Sequence, residues 1–390
     1  PKPALYAIVI GTADYSGDKL DLKYADLDAV YFSQALRAAA PGVYADKVAI
    51  TLLNTRADDP ERQGISSKAA IRQAFVDLVI KAKAQDVLMV YFSGHGVTYG
   101  AAENAQFYYL TKDIASENLS DPEIRNNYAI SSAELTEWIK AIPALKQVMV
   151  IDACNSGKIV EDLAVRKDLS STQIRALDRM KDRTGMFILT GSAADMVSYE
   201  AGQYGQGLLT FSLLEGMSGP ALSDGNVVDV MTLFQHARNR VPELARGIGG
   251  IQSPVLAFPD GGASFDIGLV GPGVKIPLAK AKPVFVRNNF LDDDIFDDRL
   301  GLSNALADYF RSITSKGAQA DMLYWDNVNE YENAYSIKGL YTLAGDAVTV
   351  RARLFKGNEV VGDKFSVTGK KSNVPALVEA IIGKVQGMVK

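Results

Sequence analysis

Short apolar runs alternate with longer amphipathic stretches along the first two thirds of the chain. The runs have a β-branched bias and glycines close behind them, which is typical of buried parallel strands that break into loops. The six runs are Ala4 to Gly11, Lys47 to Leu53, Val87 to Phe92, Gln147 to Cys154, Gly185 to Gly191 and Ser253 to Phe258. Helices are predicted at Leu22 to Ala39, from Ser66 or Ser67 to about Ala84, from Ser131 or Ser132 through Ile139, at Gly207 to Gly216 and at Asp229 to Val241. This alternation predicts an α/β fold with a mostly parallel six-stranded sheet covered on both faces.

The pattern changes after residue 266. Residues 267–283, IGLVGPGVKIPLAKAKP, are rich in Gly, Pro, Ala and Lys and are interpreted as a linker. The elements predicted beyond it are strands at Pro283 to Arg287 and Ala320 to Trp325, helices at Arg299 to Ser315 and Val374 to Val389, and strands at Ser336 to Leu343, Ala347 to Phe355 and Val360 to Thr368. The sequence therefore predicts a larger domain over residues 1–266 and a small α+β accessory domain over residues 284–390.

The composition narrows the function classes. The chain has 390 residues, is 47% hydrophobic and carries a net charge of −5, which allows a core in each domain and leaves no basic footprint for nucleic acid. No apolar run reaches the about 20 residues that a membrane helix needs. A single cysteine excludes an internal disulfide, and two histidines with one cysteine argue against a zinc site of Cys and His ligands. We expect a cytoplasmic protein, with the periplasm as the alternative.

Two of the predicted strands end in side chains that can carry chemistry. Cys154, the only cysteine, lies in QVMVIDACNSG, and His95, one of two histidines, lies in DVLMVYFSGHG. Because carboxyl ends of neighbouring parallel strands meet at one edge of a sheet, we expect His95 to act as the base for a Cys154 nucleophile. An inert buried thiol is the alternative. The other histidine, His236, lies within a predicted helix and is interpreted as a surface or core residue.

The two motifs, SGHG and DACNSG, resemble the histidine and cysteine motifs of caspase-like peptidases, closest to metacaspases, paracaspases and their bacterial relatives. The resemblance extends from about Leu5 to Phe258. It implies a caspase-like α/β/α sandwich, a dyad of His95 and Cys154, and an oxyanion site formed by the N–H groups of Gly96 and Cys154. Turn geometry is a second explanation for the glycines near His95, and both explanations can hold.

Asp152, two residues before the cysteine, indicates the substrate. Caspases that cut after aspartate have a neutral Gln at this position, whereas metacaspases and paracaspases have an Asp that helps to form an acidic pocket. The resemblance places the second acid of that pocket at Asp28, in LKYADLDA. Two carboxylates favour a guanidinium or ammonium group, so we expect a protein or peptide substrate with Arg or Lys before the scissile bond. A solvated helix carboxylate is the alternative for Asp28, and Asp26 lies close enough to be confused with it.

The segment from Lys158 to Thr184 lies where caspase relatives carry the linker between their subunits. A protease specific for basic residues could process itself there, and the alternative is a solvated helix. The candidate positions are Arg166, Lys167, Arg175, Arg179, Lys181 and Arg183.

No metal or cofactor is expected, although some metacaspases require calcium. The acidic runs available are Asp58, Asp59 and Glu61, and Asp292 to Asp298, and neither has the ligand spacing of a known calcium loop. The second run is expected to lie at the amino-terminal end of the helix that follows it, where negative charge is favourable.

The leading hypothesis is a cysteine endopeptidase with a carboxyl-terminal domain that regulates or recruits. The runner-up is a signalling or scaffold module whose caspase-like domain is catalytically silent. A third hypothesis, an envelope-binding protein, follows from SIKGLYTLAGDAVTVRARLF, which resembles the hairpin of TolB-like domains. Some bacterial relatives carry an amino-terminal β-propeller or other repeat region before a segment like KPALYAIVIG, so we expect such a region upstream of the Pro-Lys-Pro start.

Overall fold

A computed structural model of the protein describes residues 2–100, 105–116, 118–154, 175, 178–182, 184–191, 200–201, 204–246, 252–259, 261–279, 281–314, 321–325 and 334–389. The chain forms two compact units. The first comprises Pro1–Ala201 and Gln206–Ala279, and the second comprises Gly202–Gly205 and Lys280–Lys390.

The first unit is built on a central, mostly parallel sheet. The described strands of the whole unit are β1 (Leu5–Gly11), β2 (Val48–Asn54), β3 (Val87–Tyr99), β4 (Gln106–Leu110), β5 (Ala129–Ser131), β6 (Lys146–Cys154), β7 (Phe187–Thr190), β8 (Glu200–Ala201), β9 (Gln206–Gly207), β10 (Val227–Asp229), β11 (Val255–Ala257) and β12 (Asp266–Leu269). β8 pairs with β9 and β10 pairs with β12 in two small separate sheets. The order along the sheet is β11-β7-β6-β3-β1-β2, and β4 and β5 extend it from the far end of β3. β11 pairs antiparallel with β7, and the other four pairings along this order are parallel. The predicted six-stranded sheet is confirmed.

Helices cover both faces of this sheet. They are α1 (Ala25–Ala39), α2 (Pro41–Tyr44), α3 (Lys68–Lys81), α4 (Pro122–Tyr128), α5 (Ser132–Lys140), α6 (Leu208–Met217) and α7 (Val230–Arg246). Ile8 and Val90 of the sheet share one core cluster with Phe75 of α3. Because side chains alternate along a strand, the neighbouring residue Tyr91 points to the opposite face, where its ring stacks on Phe32 of α1 at 4.4 Å between centroids. The result is the three-layered α/β/α arrangement expected for a caspase-like fold.

Local hydrogen bonds explain where two of these helices begin. Ser67 accepts the N–H of Ala70 at the start of α3. At the start of α5, Ser131 accepts the N–H of Glu134, and the Glu134 carboxylate accepts the N–H of Ser131, which completes a capping box. Both starts agree with the sequence, because such caps are encoded within four consecutive residues.

The structure differs from the prediction at β3, which was expected to end at Phe92. It continues through Ser-Gly-His-Gly to Tyr99, because Gly96 to Tyr99 pair antiparallel with β4. Gly94 permits this path, since a Cβ atom there would lie 2.9 Å from the hydroxyls of both Tyr15 and Tyr109, and its φ is 150°. His95 is therefore held within a strand rather than in a loop.

Several short elements were not predicted, and two of them, α4 and β12, show why. Helix α4 starts with Asp121 accepting the N–H of Glu123 and Pro122 in its first turn, yet it buries no residue, so it has no apolar periodicity to detect. Strand β12 pairs antiparallel with β10 and buries Ile267. The expected linker, residues 267–283, therefore begins inside a strand of the first unit.

The second unit is a small α+β domain, as predicted. Its elements are β13 (Val284–Val286), β14 (Asn289–Asp292), α8 (Leu302–Thr314), β15 (Leu323–Trp325), β16 (Tyr335–Ala344), β17 (Ala347–Lys356), β18 (Glu359–Lys370) and α9 (Val374–Gln386). The strand order is β15-β13-β16-β17-β18, with β14 paired to β16. Phe310 of α8, Val350 of β17 and Ile381 of α9 belong to its own hydrophobic core. Among the described residues of the whole chain, we find no helix with the length and apolarity that a bilayer crossing requires.

Candidate active site

The histidine and cysteine motifs lie side by side at the carboxyl edge of the central sheet. β3 and β6 are adjacent and parallel, and their register pairs Ser93 with Asp152, Gly94 with Ala153 and His95 with Cys154. Neighbouring strands are about 4.8 Å apart, so the backbones of His95 and Cys154 are separated by one strand spacing. The Cys154 side chain and residues 155–174, which include the rest of the Asn-Ser-Gly motif, lie outside the described structure.

Hydrogen bonds fix the orientation of the His95 imidazole. Its Nε2 lies 2.7 Å from the carbonyl oxygen of Leu20. A carbonyl oxygen only accepts, so Nε2 carries the proton and Nδ1 of the neutral ring is left as the acceptor. The backbone N–H of His95 donates to the Tyr15 hydroxyl at 2.8 Å, and the Tyr15 ring lies 5.2 Å from the imidazole.

Burial controls the protonation of this imidazole. His95 is only 7% exposed, and desolvation lowers its pKa below the usual 6.5. The Leu20 carbonyl and the charge of Asp21 oppose this effect, and both are smaller than the desolvation. At neutral pH the ring is therefore neutral and able to accept a proton.

Gly96, the expected oxyanion donor, sits where no side chain fits. A Cβ atom there would lie 2.3 Å from Cε2 of Phe107 and 3.3 Å from Cβ of Ala153. The glycine is required by packing between β4 and β6, whether or not its N–H also serves a reaction.

The two expected pocket acids are brought together. Asp28 on α1 and Asp152 at the end of β6 are 2% and 4% exposed. Both contact the start of α6: a Cβ atom on Gly207 would lie 2.9 Å from Oδ2 of Asp28 and 2.8 Å from Oδ2 of Asp152. The Ser93 hydroxyl donates to Asp28 at 3.3 Å. Asp28 is thus a buried carboxylate beside Asp152 rather than a solvated helix residue.

Asp26 has different surroundings from Asp28. It is half-buried, and its Oδ1 accepts the N–H of Leu27. Desolvation raises its pKa, and the Leu27 hydrogen bond and the Arg56 charge partly offset that increase. Of these two aspartates of α1, it is Asp28 that accepts the N–H of Gly207.

Sequence reasoning missed several residues around this site. Tyr15 and Leu20 support His95, and Tyr91, Gly207 and Thr210 surround the acids. Gly207 was recognised only as a helix start, and the others were not singled out. Each is far in sequence from the group it contacts, so no local motif could identify it.

Three of the basic candidate positions for self-processing fall on described residues. Arg175, Arg179 and Lys181 have helical backbone. Arg179 donates to the carbonyl oxygen of Ala105 at 2.7 Å, and Lys181 pairs with Asp178 and Asp182 at 3.8 and 3.1 Å. The other three, Arg166, Lys167 and Arg183, lie outside the described residues.

The acidic runs have partners other than a metal. Asp59 accepts hydrogen bonds from Asn54 and from the N–H of Glu61, and Asp58 pairs with Arg56. Asp298 accepts the N–H groups of Leu302 and Ser303 and so tops α8, as expected for the second run. In the part of the chain that the structure describes, no group of three His, Cys, Asp or Glu side chains is placed to hold a metal ion.

Comparison with known proteins gives a family and weak structural neighbours. A crystal structure of a structural genomics target protein from Geobacter sulfurreducens matches with a TM-score of 0.43 and 15% identity, covering 72% of this chain and 98% of that one. The Drosophila initiator caspase Dronc matches with a TM-score of 0.39 and 8% identity, covering 67% and 82%. No curated protein sequence matches. A family model described as the caspase domain of C14 peptidases matches residues 4–260. Because this match covers more than half of the 390 residues, the chain belongs to the caspase-domain family.

Proposed function

We propose that the chain is a cysteine endopeptidase that cleaves peptide bonds after Arg or Lys, with Cys154 as nucleophile and His95 as base. The observation that carries the proposal is the register pairing of His95 with Cys154 at the carboxyl edge of the sheet. The caspase-domain family is a family of peptidases, which supports a cysteine peptidase and a protein substrate.

In the proposed reaction, Nδ1 of His95 takes the proton of the Cys154 thiol as the sulfur attacks the carbonyl carbon of the scissile bond. The resulting imidazolium gives that proton to the leaving amine, the C–N bond breaks, and a thioester forms on Cys154. Water, deprotonated by His95, then attacks the thioester, which releases the carboxylic acid and restores the thiol. The Leu20 carbonyl keeps Nε2 protonated, so Nδ1 is the nitrogen that moves the proton.

The developing oxyanion is assigned to the N–H groups of Gly96 and Cys154. Donors of this kind stabilise charge that exists only in the tetrahedral state, and losing one typically costs on the order of 2.7–4 kcal/mol. Gly96 follows His95 directly on β3, which supports this role because its N–H lies at the same edge of the sheet as the dyad.

The acid pair provides the proposed specificity. In this proposal the buried carboxylates of Asp28 and Asp152 are both ionised, so a guanidinium bound there forms strong charge-assisted hydrogen bonds. Asp152 lies two residues before the nucleophile on the same strand, so a side chain bound there would present the following peptide bond to Cys154. We expect Arg to be preferred to Lys because its planar guanidinium can bind two carboxylates.

The first test measures cleavage of fluorogenic peptides that differ only in Arg, Lys or Asp before the cleaved bond. The enzymes are wild type, Cys154→Ala, His95→Ala and, as a matched control at the second histidine, His236→Ala. We expect wild type and His236→Ala to cleave the arginine peptide, Cys154→Ala to be inactive, and His95→Ala to lose about 10²–10⁴-fold in rate, the usual contribution of a general base. Each assay is run with added calcium and with a chelator.

Two outcomes would refute the assignment. Preference for the aspartate peptide would refute the proposed specificity for Arg or Lys. Cleavage by Cys154→Ala would refute the assignment of Cys154 as the nucleophile. Silence of the wild type toward all three peptides, with calcium and reducing agent present, would favour the catalytically silent scaffold instead.

A further inference from the structure

Helix α6 begins without a side-chain cap of its own. Its N-cap residue is Gly207, which makes no side-chain cap hydrogen bond because it has no side chain. The first N–H groups of a helix have no partner within the helix and need an acceptor from elsewhere. Here the N–H of Gly207 donates to both carboxylate oxygens of Asp28 at 3.1 Å, and the N–H of Thr210 donates to Oδ2 of Asp152 at 3.1 Å.

Thr210 reaches Asp152 a second time through its hydroxyl. Oγ1 of Thr210 lies 2.6 Å from Oδ2 of Asp152 and 2.5 Å from the hydroxyl oxygen of Tyr91. An ionised carboxylate can only accept, so Thr210 donates its single hydroxyl proton to Asp152. Tyr91 must then donate to Thr210, which defines a chain of donors running from Tyr91 through Thr210 to Asp152.

The groups around Thr210 favour this direction. Tyr91 is fully buried between the sheet and α1, and burial raises its pKa well above the usual value, with further increases from the charges of Asp28 and Asp152. Its hydroxyl therefore stays protonated. The positive end of the α6 dipole lies at the same place and also favours negative charge on both acids.

The fit at the helix start is close. With a Cβ atom on Gly207 at 2.8 and 2.9 Å from the two acids, both carboxylates lie against the backbone of this residue. Two like charges this close in a buried site repel each other, and one of them would take up a proton unless donors compensate. The start of α6 supplies those donors.

We propose that Thr210 is a positioning residue of the acidic pocket: with the N–H of Gly207 it keeps Asp28 and Asp152 charged and oriented toward the basic side chain of a substrate. The inference rests on the proposed function and deepens it, because it assigns the control of the pocket's charge to the first turn of α6. Thr210 does not itself touch the reacting atoms.

The test measures binding by calorimetry in the Cys154→Ala chain, where nothing is cleaved. The ligands are a peptide that ends in arginine amide and the same peptide with citrulline, which has the shape of arginine without the charge. We expect Thr210→Val to weaken binding of the arginine peptide about tenfold, as for loss of one hydrogen bond to a charged group, and Thr210→Ser to bind within about twofold of the parent because it keeps the donor. Binding of the citrulline peptide should not change in either variant.

The Tyr91→Phe variant provides a second measurement. It removes the hydroxyl that donates to Thr210 and leaves the side-chain volume almost unchanged. We expect a smaller loss, about threefold, because the Thr210 hydroxyl still reaches Asp152 but loses its partner. Thermal unfolding of each variant identifies any that fail to fold. Unchanged arginine binding in folded Thr210→Val, or in folded Tyr91→Phe if the valine variant does not fold, would overturn the inference.

Cleavage assays of the same variants in the chain that keeps Cys154 separate this inference from the proposed function. We expect Thr210→Val to raise KM for the arginine peptide with little change in kcat. Selective arginine binding that depends on Thr210, together with no cleavage by the wild type, would refute the peptidase and support the positioning role. Equal binding of the arginine and citrulline peptides by the parent would show that no acidic pocket recognises the charge. It would therefore refute the positioning role of Thr210 as well.

Discussion

At the residue scale, two side chains of the candidate site contact groups that lie outside the sequence motifs. His95 is kept neutral by burial and is oriented by the Leu20 carbonyl. Asp152 accepts two hydrogen bonds from Thr210, one from its N–H and one from its hydroxyl. Neither the carbonyl of Leu20 nor the hydroxyl of Thr210 belongs to a sequence motif, yet each makes a hydrogen bond to a motif residue.

The protonation of His95 can be measured directly, because the chain has only two histidines. We expect an NMR titration of the imidazole protons to place the His95 pKa below 6.5, since desolvation is the largest influence on it. The His236→Gln variant assigns the two signals, and Cys154→Ala removes coupling to the thiol. A His95 midpoint at or above 6.5 would contradict this prediction.

The same shift has a consequence for stability. The imidazole of the unfolded chain has a pKa near 6.5, and burial lowers the pKa of the folded one. Between these two pH values the unfolded state therefore binds more protons than the folded state. His95 therefore contributes to the free energy of unfolding fully above pH 6.5, and this contribution is lost as the pH falls from 6.5 toward the pKa of the folded state. Chemical denaturation measured across that interval should show the decrease.

How much of the site the sequence could predict follows from where the contacts lie along the chain. His95 and Cys154 follow apolar runs at strand ends, so the pattern of the sequence was enough to locate them, whereas Asp152 was singled out from the family resemblance. The support from Tyr15 and Thr210 could not be predicted, because Tyr15 reaches His95 across 80 positions and Thr210 reaches Asp152 across 58. Their hydroxyls become significant only when the sheet and α6 bring them to the site.

At the element scale, the sequence predicted helices that bury an apolar face, and a local cap alone was not enough to reveal one. Helix α3 has both features and was found where expected, whereas α4 buries nothing and was missed. Strand β3 was predicted too short, because the residues after Phe92 include two glycines and read as a loop. These residues are extended because they pair with β4, the strand that follows β3 in the sequence.

Helical backbone at Arg179 and Lys181 makes a prediction about self-processing. A protease cleft binds its substrate in an extended conformation, and residues inside a helix must unfold before they can enter it. Arg179 is further held by the Ala105 carbonyl, and Lys181 by two aspartates. If the chain cuts itself in the Lys158 to Thr184 segment, we expect the cuts to map to basic residues other than these two and Arg175, which also has helical backbone.

Incubation of wild type beside Cys154→Ala, followed by mass spectrometry of the fragments, checks this prediction. The inactive variant controls for contaminating proteases. Cuts after Arg179 or Lys181 in the wild type at early times would contradict it, since the helix would then offer no protection. A substitution that frees the anchor, Arg179→Ala, should make the nearby Lys181 more susceptible.

At the scale of the whole molecule, the boundary of the first unit decides which fragment is stable. The sequence placed the end of the larger domain at residue 266, whereas the compact unit extends to Ala279. The difference includes most of β12, whose Ile267 is 1% exposed and whose Leu269 side chain packs closely against Gly42. Because glycine and proline residues surround β12, the composition of this stretch is typical of a linker and does not indicate a strand.

Two truncated chains, 1–266 and 1–279, distinguish these boundaries. Ending at residue 266 removes Ile267 and the antiparallel pairing of β12 with β10, and burial of one isoleucine is worth about 1.5–3 kcal/mol. We therefore expect the shorter chain to unfold at lower urea concentration, by at least about 2 kcal/mol in the free energy of unfolding, and Ile267→Ala in the full chain to move in the same direction. Equal urea midpoints for the two fragments would show that β12 adds nothing to the first unit. Because β10 leads directly into α7, and α7 packs against α6, the loss of β12 would also loosen the layer that holds the acid pair.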